Sequence, residues 1–297
     1  MVIGKVGLAP MAGITNYSFR TICFTFGAEF AYTEMISAES VIRNVKVNEL
    51  YFPHDDEKEK VAIQIFGSDP FVMAQAAKML ETKGAWIDIN AGCPVKKVIR
   101  KGAGSALLKD LRKLKKIIEE IKKIVSCKVS VKVRLGFEKN EFDKIYDTVV
   151  EAGADMIAVH GRTAKQMYLG KATWNVRNKG YIPFYINGDI NSLEDAKKAM
   201  EISGAEGVLI GRGAIGNPWI FSNGNPSLAE KLNIILNHLD FLYKEVGNRA
   251  VVEFRKFVTG YTKGLKNSRE FRAQVMKIED FEELKDLFRK YFLSLEN

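Results

Sequence analysis

The chain has 297 residues, of which 46% are hydrophobic, 27% charged and only 7 proline, a globular composition that excludes a disordered or collagen-like protein. No apolar run reaches the roughly 18 residues of a membrane span. The formal net charge of +9 favours polyanionic partners, and because residues 226–297 hold 13 Lys+Arg against 11 Asp+Glu, most of the excess lies in residues 1–225.

In chain order, short β-branched runs predict strands at Val6–Ala9, Phe30–Thr33, Val61–Ile65, Ile87–Asn90, Val129–Val133, Met156–His160, Phe184–Asn187 and Gly207–Ile210. Segments of helical period lie between them. The clearest spans Leu107–Val125, with Leu107, Leu111, Leu114, Ile117, Ile118, Ile121 and Ile124 in one apolar stripe and lysines opposite. Another spans Ser192–Ile202, with Ser192 as N-cap and Gly204 just beyond its end. Eight β-then-α units in about 215 residues predict an α/β fold, a (β/α)8 TIM barrel. A doubly wound sheet would place a GxGxxG turn after its first strand, and none is there. After Asn217-Pro218 the alternation stops, Asn223-Gly224-Asn225-Pro226 reads as a linker, and the rest has helical spacing throughout. The expected organisation is a barrel domain over 1–222 and a smaller all-α domain over 226–297.

Barrel chemistry gathers at the C-terminal ends of the strands. Those ends carry Met11, Glu34, Gln64, Asn90, Lys132 with Arg134, His160 with Arg162, Asn187, and Gly211 with Arg212. Polar groups at a rim cost about 2–7 kcal/mol each if desolvated without partners, so they imply a ligand. Asn187-Gly188-Asp189-Ile190 and Gly211-Arg212-Gly213-Ala214 follow strands seven and eight, where barrels often bind phosphate. The alternation Val129-Ser130-Val131-Lys132-Val133 turns Lys132 inward, as a Schiff-base nucleophile or as a fixed cation against an anionic ring. Pairing with an internal carboxylate is the bland alternative, and the strands supply few inward acids. His160, at a strand end beside Arg162, reads as functional rather than as a core histidine.

The segment Asp88-Ile89-Asn90-Ala91-Gly92-Cys93-Pro94 places a thiol on the loop after the fourth strand, expected to be the longest βα connection, where neighbouring lysines would favour its thiolate. Cys93 there is a nucleophile, a proton donor, or a chance placement; Cys23 and Cys127 read as buried hydrophobes. Three cysteines without a CxxC pair fit a cytoplasmic protein with neither disulfide framework nor metal, and MVIGKVGLAPMAG lacks signal-peptide character. Lys96, Lys97, Arg100, Lys101, Lys109, Arg112, Lys113, Lys115 and Lys116 stand against a single Asp110. Alone such a run reads as a solvated face; beside Cys93 it reads as a phosphate contact.

Ala9-Pro10-Met11-Ala12-Gly13-Ile14-Thr15-Asn16, Asn90-Ala91-Gly92-Cys93-Pro94, Val131-Lys132-Val133-Arg134, His160-Gly161-Arg162-Thr163 running to Tyr168, Asn187-Gly188-Asp189-Ile190, Gly211-Arg212-Gly213 and Asn217-Pro218-Trp219 occur in that order. Over essentially its whole length the chain resembles the tRNA-dihydrouridine synthases. The resemblance implies an FMN-dependent oxidoreductase reducing a tRNA uridine to 5,6-dihydrouridine, with NADPH as transient reductant and no protein partner required. It implies that Pro10, Met11 and Ala12 line the flavin ring, that Gln64 bonds its edge, and that Lys132 and His160 face it. Asn187, Gly188, Asp189, Gly211 and Arg212 would hold the phosphate end. Hydride would pass from flavin N5 to uracil C6, and Cys93 would protonate C5. Asn90 and Arg134 or Arg162 would read the uracil; Lys96, Lys97, Arg100, Lys101, Arg255 and Lys256 would meet tRNA phosphates. Phe257 departs from the histidine common in the family, and Ala91 is smaller than the usual residue. The alternatives are a small-molecule FMN pyrimidine oxidoreductase of dihydroorotate-dehydrogenase type, an aldolase using Lys132, and a tRNA-binding protein without chemistry.

Overall fold

The structure, a computed structural model, describes residues 4–222 and 224–296. Its strands are β1 (Val6–Leu8), β2 (Phe30–Tyr32), β3 (Ile36–Ser37), β4 (Val61–Phe66), β5 (Trp86–Ala91), β6 (Val129–Arg134), β7 (Met156–His160), β8 (Phe184–Asn187) and β9 (Gly207–Ile210). All pairings are parallel; β1 joins β9 and β2 joins β4, closing eight strands into the expected barrel. The two-residue β3, which no sequence pattern announces, hangs on the end of β4.

Around it lie α1 (Tyr17–Thr25), α2 (Ala38–Ile42), α3 (Pro70–Leu80), α4 (Lys96–Ile99), α5 (Leu111–Ile124), α6 (Phe142–Glu151) and α7 (Leu193–Ser203). Local chemistry sets their ends. Asn16, Asp69 and Ser192 each accept a backbone N–H of the first turn, and Gly204 closes α7 at φ +68°. The helix expected over Leu107–Val125 is broken at Asp110: a 3-10 turn covers Gly104–Lys109, and the Asp110 side chain caps α5 by accepting from Lys113 N. The regular eightfold alternation also fails once. Residues 161–183 between β7 and β8 form no helix, whereas the Cys93 segment runs from β5 through the single turn α4 and a 3-10 turn before α5 begins at Leu111.

Alternation along the strands sorts their side chains. Ile87, Ile89, Val129, Val131 and Val133 pack outward beneath the helices, while Phe30, Tyr32, Trp86, Met156 and Tyr185 fill the barrel interior. Above that aromatic floor the register sets Gln64 beside Asp88, Asp88 beside Ser130, Asn90 beside Lys132, Arg134 beside His160, and His160 beside Asn187. The inward acids are few, and Asp88 is one of them: it lies fully buried in the interior, one rung below Asn90 and Lys132.

Beyond the barrel follow α8 (Leu228–Val246), α9 (Ala250–Tyr261), α10 (Ser268–Val275) and α11 (Phe281–Leu293). Ser227 and Glu230 form a capping box at the start of α8; of the expected linker, Asn223 lies outside the described residues. Phe19 of α1 stacks near His238 and Phe257, so the helical region shares a continuous apolar core with the barrel. Contact is closest at two glycines: a Cβ on Gly260 would lie 2.0 Å from the Ile215 carbonyl oxygen, and one on Gly216 would lie 2.3 Å from Tyr261 N. That approach brings α9 over the barrel mouth.

Candidate active site

The C-terminal strand ends and the start of the helical region enclose a cavity of about 1080 Å³. Its wall includes Pro10, Met11, Ala12, Gln64, Asn90, Cys93, Lys132, Arg134, His160, Asn187, Gly188, Asp189, Gly211, Arg212 and Lys256, all expected as site residues. Lys231, Thr259 and Lys263 join from the other side. Sequence reasoning missed Lys231, because its place on the wall depends on how α8 lies across the mouth.

The Cys93 loop is held by a chain of amides. Asn90 Oδ1 accepts from Gly92 N (3.2 Å) and Cys93 N (3.0 Å), and Asn90 Nδ2 donates to Gln64 Oε1 (2.8 Å). Gln64 Nε2 donates to Asp88 Oδ2 (2.7 Å), whose other oxygen accepts from Ser130 Oγ. Trp86 Nε1 closes the series on Ser130 Oγ at 3.0 Å. With Asp88 ionised, its carboxylate accepts from both sides, and that fixes the direction of every amide above it. On the loop's far side Ser105 N donates to the Cys93 carbonyl, and Gly104 sits at φ +60°, where a Cβ would lie 2.8 Å from that oxygen.

Burial among like charges governs the electrostatics. Burial, then the Arg134 charge, lowers Lys132 to about 8, opposed by Asp88 and Cys93; its Nζ donates to Asn187 Oδ1 at 3.2 Å. Arg134 falls to about 10, chiefly through burial, and gives Nε to Gly92 O and Nη1 to the Thr163 and Met167 carbonyls. Burial, followed by the charges of Lys132, Arg134, Arg162 and Arg212, takes His160 down to about 2. The Cys93 thiol moves up: burial outweighs the Val95 backbone hydrogen bond and the charges of Arg134 and Lys132. This overturns the expectation of a thiolate favoured by neighbouring lysines, since Lys96 and Lys97 point their charges into solvent from α4. Cys127, expected to be buried, is half-buried.

Several expected contacts are elsewhere. Arg162 is not on the wall; it lies beneath, 1% exposed, donating to the Leu169 and Gly170 carbonyls and to Asp189. Asp189 does not present a free carboxylate to a ligand, because it accepts from Arg162, Arg212 (3.0 Å) and Ala172 N (2.8 Å). Arg255 turns away from the cavity and donates to the Ile278 carbonyl within the helical region. Lys96, Lys97, Arg100 and Lys101 are exposed outside the cavity, next to its Cys93–Val95 edge.

A parallel eight-stranded barrel carrying a thiol, a lysine, a histidine and paired amides at one cavity defines the class of barrel enzymes with their site at the C-terminal strand ends. In fold it is similar to 2-naphthoyl-CoA reductase (TM-score 0.51, 11% identity, covering 73% of this chain and 49% of that one). It is likewise similar to histamine dehydrogenase from Rhizobium sp. 4-9 (TM-score 0.50, 11% identity, 81% and 50%). The family model described as Dihydrouridine synthase (Dus) matches residues 7–296, and the chain belongs to that family. It is 38% identical to the probable tRNA-dihydrouridine synthase of Rickettsia typhi (98% of this chain, 95% of the relative). To tRNA-dihydrouridine synthase B of Pseudomonas aeruginosa it is 36% identical (98% and 93%). No described helix is long and apolar enough to cross a membrane.

Proposed function

We propose that this dihydrouridine synthase reduces a uridine of tRNA to 5,6-dihydrouridine, with FMN bound in the cavity and NADPH as its transient reductant. The observation that carries the reading is Cys93: a thiol on the cavity wall, held protonated by burial, with its backbone N–H fixed by Asn90. The relatives' names point to the same substrate.

The residues present fit a flavin mononucleotide. Lys132 offers a half-buried cation to an electron-rich ring, and Pro10, Met11 and Ala12 offer it an apolar face. At the other end Gly188 and Gly211 let backbone approach a phosphate, with Arg212 held in place by Asp189. Bound FMN would supply the hydride. Cys93 would give its proton to C5 of the uracil and recover one from water, a task for which a protonated thiol is suited. Arg134 would meet a uracil carbonyl through Nη2, the nitrogen outside its three carbonyl bonds, and stabilise charge developing there. Asn90 would read the base with its second amide hydrogen, which faces only the weak acceptor Met35 Sδ at 3.8 Å.

Such a base must leave the RNA stack, which costs a few kcal/mol recovered by backbone contacts. The cations flank the cavity on both sides for that purpose. Lys96, Lys97, Arg100 and Lys101 border the Cys93 edge, and Lys231, Lys256 and Lys263 line the opposite wall from the region spanning 226–297, which would act as the docking domain.

The test is anaerobic. NADPH should bleach the flavin of the purified protein, and unmodified tRNA should reoxidise it while uridine monophosphate does not. Cys93→Ala should bind tRNA but lose its reduction. A protein that neither carries FMN nor accepts it would overturn the flavin reading. Reoxidation by free pyrimidine as readily as by tRNA would overturn the RNA reading, and a fully active Cys93→Ala would overturn the proton donor.

A further inference from the structure

We infer that Arg162 is a positioning residue that fixes His160 as the neutral tautomer protonated on Nδ1, so that the imidazole offers the cavity a hydrogen-bond donor and not an acid. Arg162 Nη1 lies 3.2 Å from His160 Nε2, with both groups buried. A guanidinium has donors only, so Nε2 must accept, and the one proton of a neutral imidazole must then reside on Nδ1. Nδ1 itself makes no hydrogen bond among the described residues, and the ring lines the cavity.

Arg162 is poorly placed to do anything else. Its Nε is committed to the Leu169 carbonyl at 3.1 Å, and its Nη2 to the Gly170 carbonyl at 2.6 Å and to Asp189 at 2.5 Å. Asp189 is in turn fixed by Ala172 N and Arg212. The guanidinium therefore cannot rotate to release Nε2 without giving up charge-assisted bonds on the other side. Every element around the ring works in the same sense. Lys132 and Arg134 come from β6, Arg162 follows β7 and Arg212 follows β9, while Asp189 after β8 is taken by the two arginines and Asp88, one rung below Lys132, is bonded to Ser130 and Gln64. The aromatic neighbour Tyr168 stands with its ring 6.4 Å from that of His160. A cationic His160 would be one more charge in this group with its own donor aimed at another donor.

The consequence is a division of labour. Cys93 and Lys132 keep the mobile protons of the site, whereas His160 recognises an acceptor atom of whatever occupies the cavity. That the acceptor belongs to a flavin rests on the function proposed above; the proton's location does not.

The chain has only three histidines, His54, His160 and His238, so ¹⁵N-histidine labelling gives a spectrum in which His160→Gln assigns the signal by its loss. In the full-length protein, His160 should show a protonated Nδ1 and a bare Nε2, unchanged from pH 5 to pH 9. Arg162→Met should release the lock, so that Nε2–H becomes populated, and Arg162→Lys, which keeps a donor and a charge, should restore at least part of it. A wild-type spectrum with Nε2–H, or one that titrates to the imidazolium within that range, would overturn the assignment without any variant having to fold. An unchanged Nδ1–H tautomer in a folded Arg162→Met would overturn the role of Arg162. Adding FMN should shift the Nδ1–H signal; a bare-Nε2 spectrum indifferent to FMN would leave the tautomer standing and count against the flavin reading instead.

Discussion

Asp88→Asn isolates an acid sealed inside the barrel. Burial raises this carboxyl from 3.8 to about 7, against the bonds from Ser130 and Gln64 and the Lys132 charge, which pull it down. In the unfolded chain the proton leaves near pH 4; in the fold it stays until about pH 7, so between those values the native state binds one more proton. Stability from this group is therefore present at low pH and lost as pH rises through 7. Integrated from pH 5 to pH 8, the loss is on the order of 2–3 kcal/mol. Asparagine has nearly the same shape and no such titration. Removing Asp88 also lowers Lys132 further, because Asp88 is one of the two groups holding it up. That depression makes the variant gain stability as pH rises toward 8, which adds to the difference. Urea unfolding of both proteins at pH 5, 6, 7 and 8, followed by circular dichroism, gives the comparison. The wild type should lose about 2–3 kcal/mol relative to Asp88→Asn across the series. A difference that stays flat within about 0.5 kcal/mol, or moves the other way, would refute the placement of a protonatable acid in the interior.

Three further predictions concern the supports of the site. The raised Cys93 thiol should be alkylated by iodoacetamide at pH 7.5 more slowly than a free cysteine, in a Cys127→Ser background, and should speed up only in alkaline buffer; faster labelling at neutral pH would contradict a protonated thiol. Gly104→Ala combines a left-handed backbone with a clash against the Cys93 carbonyl, so it should cost at least about 1–2 kcal/mol in unfolding measurements and reduce activity through a displaced thiol. Arg20 and Glu57, 1% and 2% exposed, are joined by paired hydrogen bonds, and Arg20 Nη1 also donates to the Thr15 carbonyl behind the Met11 loop. Glu57→Gln should strand that buried charge at a cost of about 3–5 kcal/mol, about 5–8 °C in melting temperature for a chain of this length, and the double change Arg20→Met/Glu57→Leu should recover most of it. Equal stability of single and double variants in calorimetry would show the pair to be unimportant.

The barrel was legible because strand alternation is a local property. Ile87 and Ile89 outside, with Trp86, Asp88 and Asn90 inside, follow from a period of two alone. The same alternation that turned Lys132 inward places Asp88 there as well; what hid it was attention to strand ends, where chemistry gathers, rather than to the rung below. Other features depend on tertiary partners. The 161–183 segment carries the glycine and polar residues of an ordinary connection, and only the folded barrel shows Arg162 and Asp189 knitting it in place of a helix. Arg162 and Arg255 look in sequence like any ligand-binding arginine, since the carbonyls that occupy them come from residues 169, 170 and 278. The state of the Cys93 thiol likewise depends on tertiary surroundings. Sequence proximity of lysines is a poor guide to field, because α4 carries their charges outward while burial acts on the sulfur directly.

The wall of the cavity is cationic beyond what its own acids neutralise. Lys132, Arg134 and Arg212 share it with Lys231 and Lys263, and with Lys256, which is paired with Glu253, whereas Asp189 is already bonded to two arginines. Burial first, and then the charge of Arg134 on Lys132 and of Arg162 and Arg212 on Arg134, lowers both groups, and an anionic occupant would relieve that repulsion. If the phosphate of FMN is that anion and lies by Arg212, FMN should raise the melting temperature more than riboflavin, which has the same ring and no phosphate. At a ligand concentration of 100 times its dissociation constant the stabilisation is about 2.7 kcal/mol, so a tenfold affinity difference between the two flavins is readily resolved by thermal shift. Arg212, half-exposed, should contribute in a salt-dependent way, and Arg212→Gln should narrow the gap between FMN and riboflavin without abolishing riboflavin binding. Equal stabilisation by the two flavins would place the phosphate in solvent and leave the excess positive charge to the nucleic acid alone.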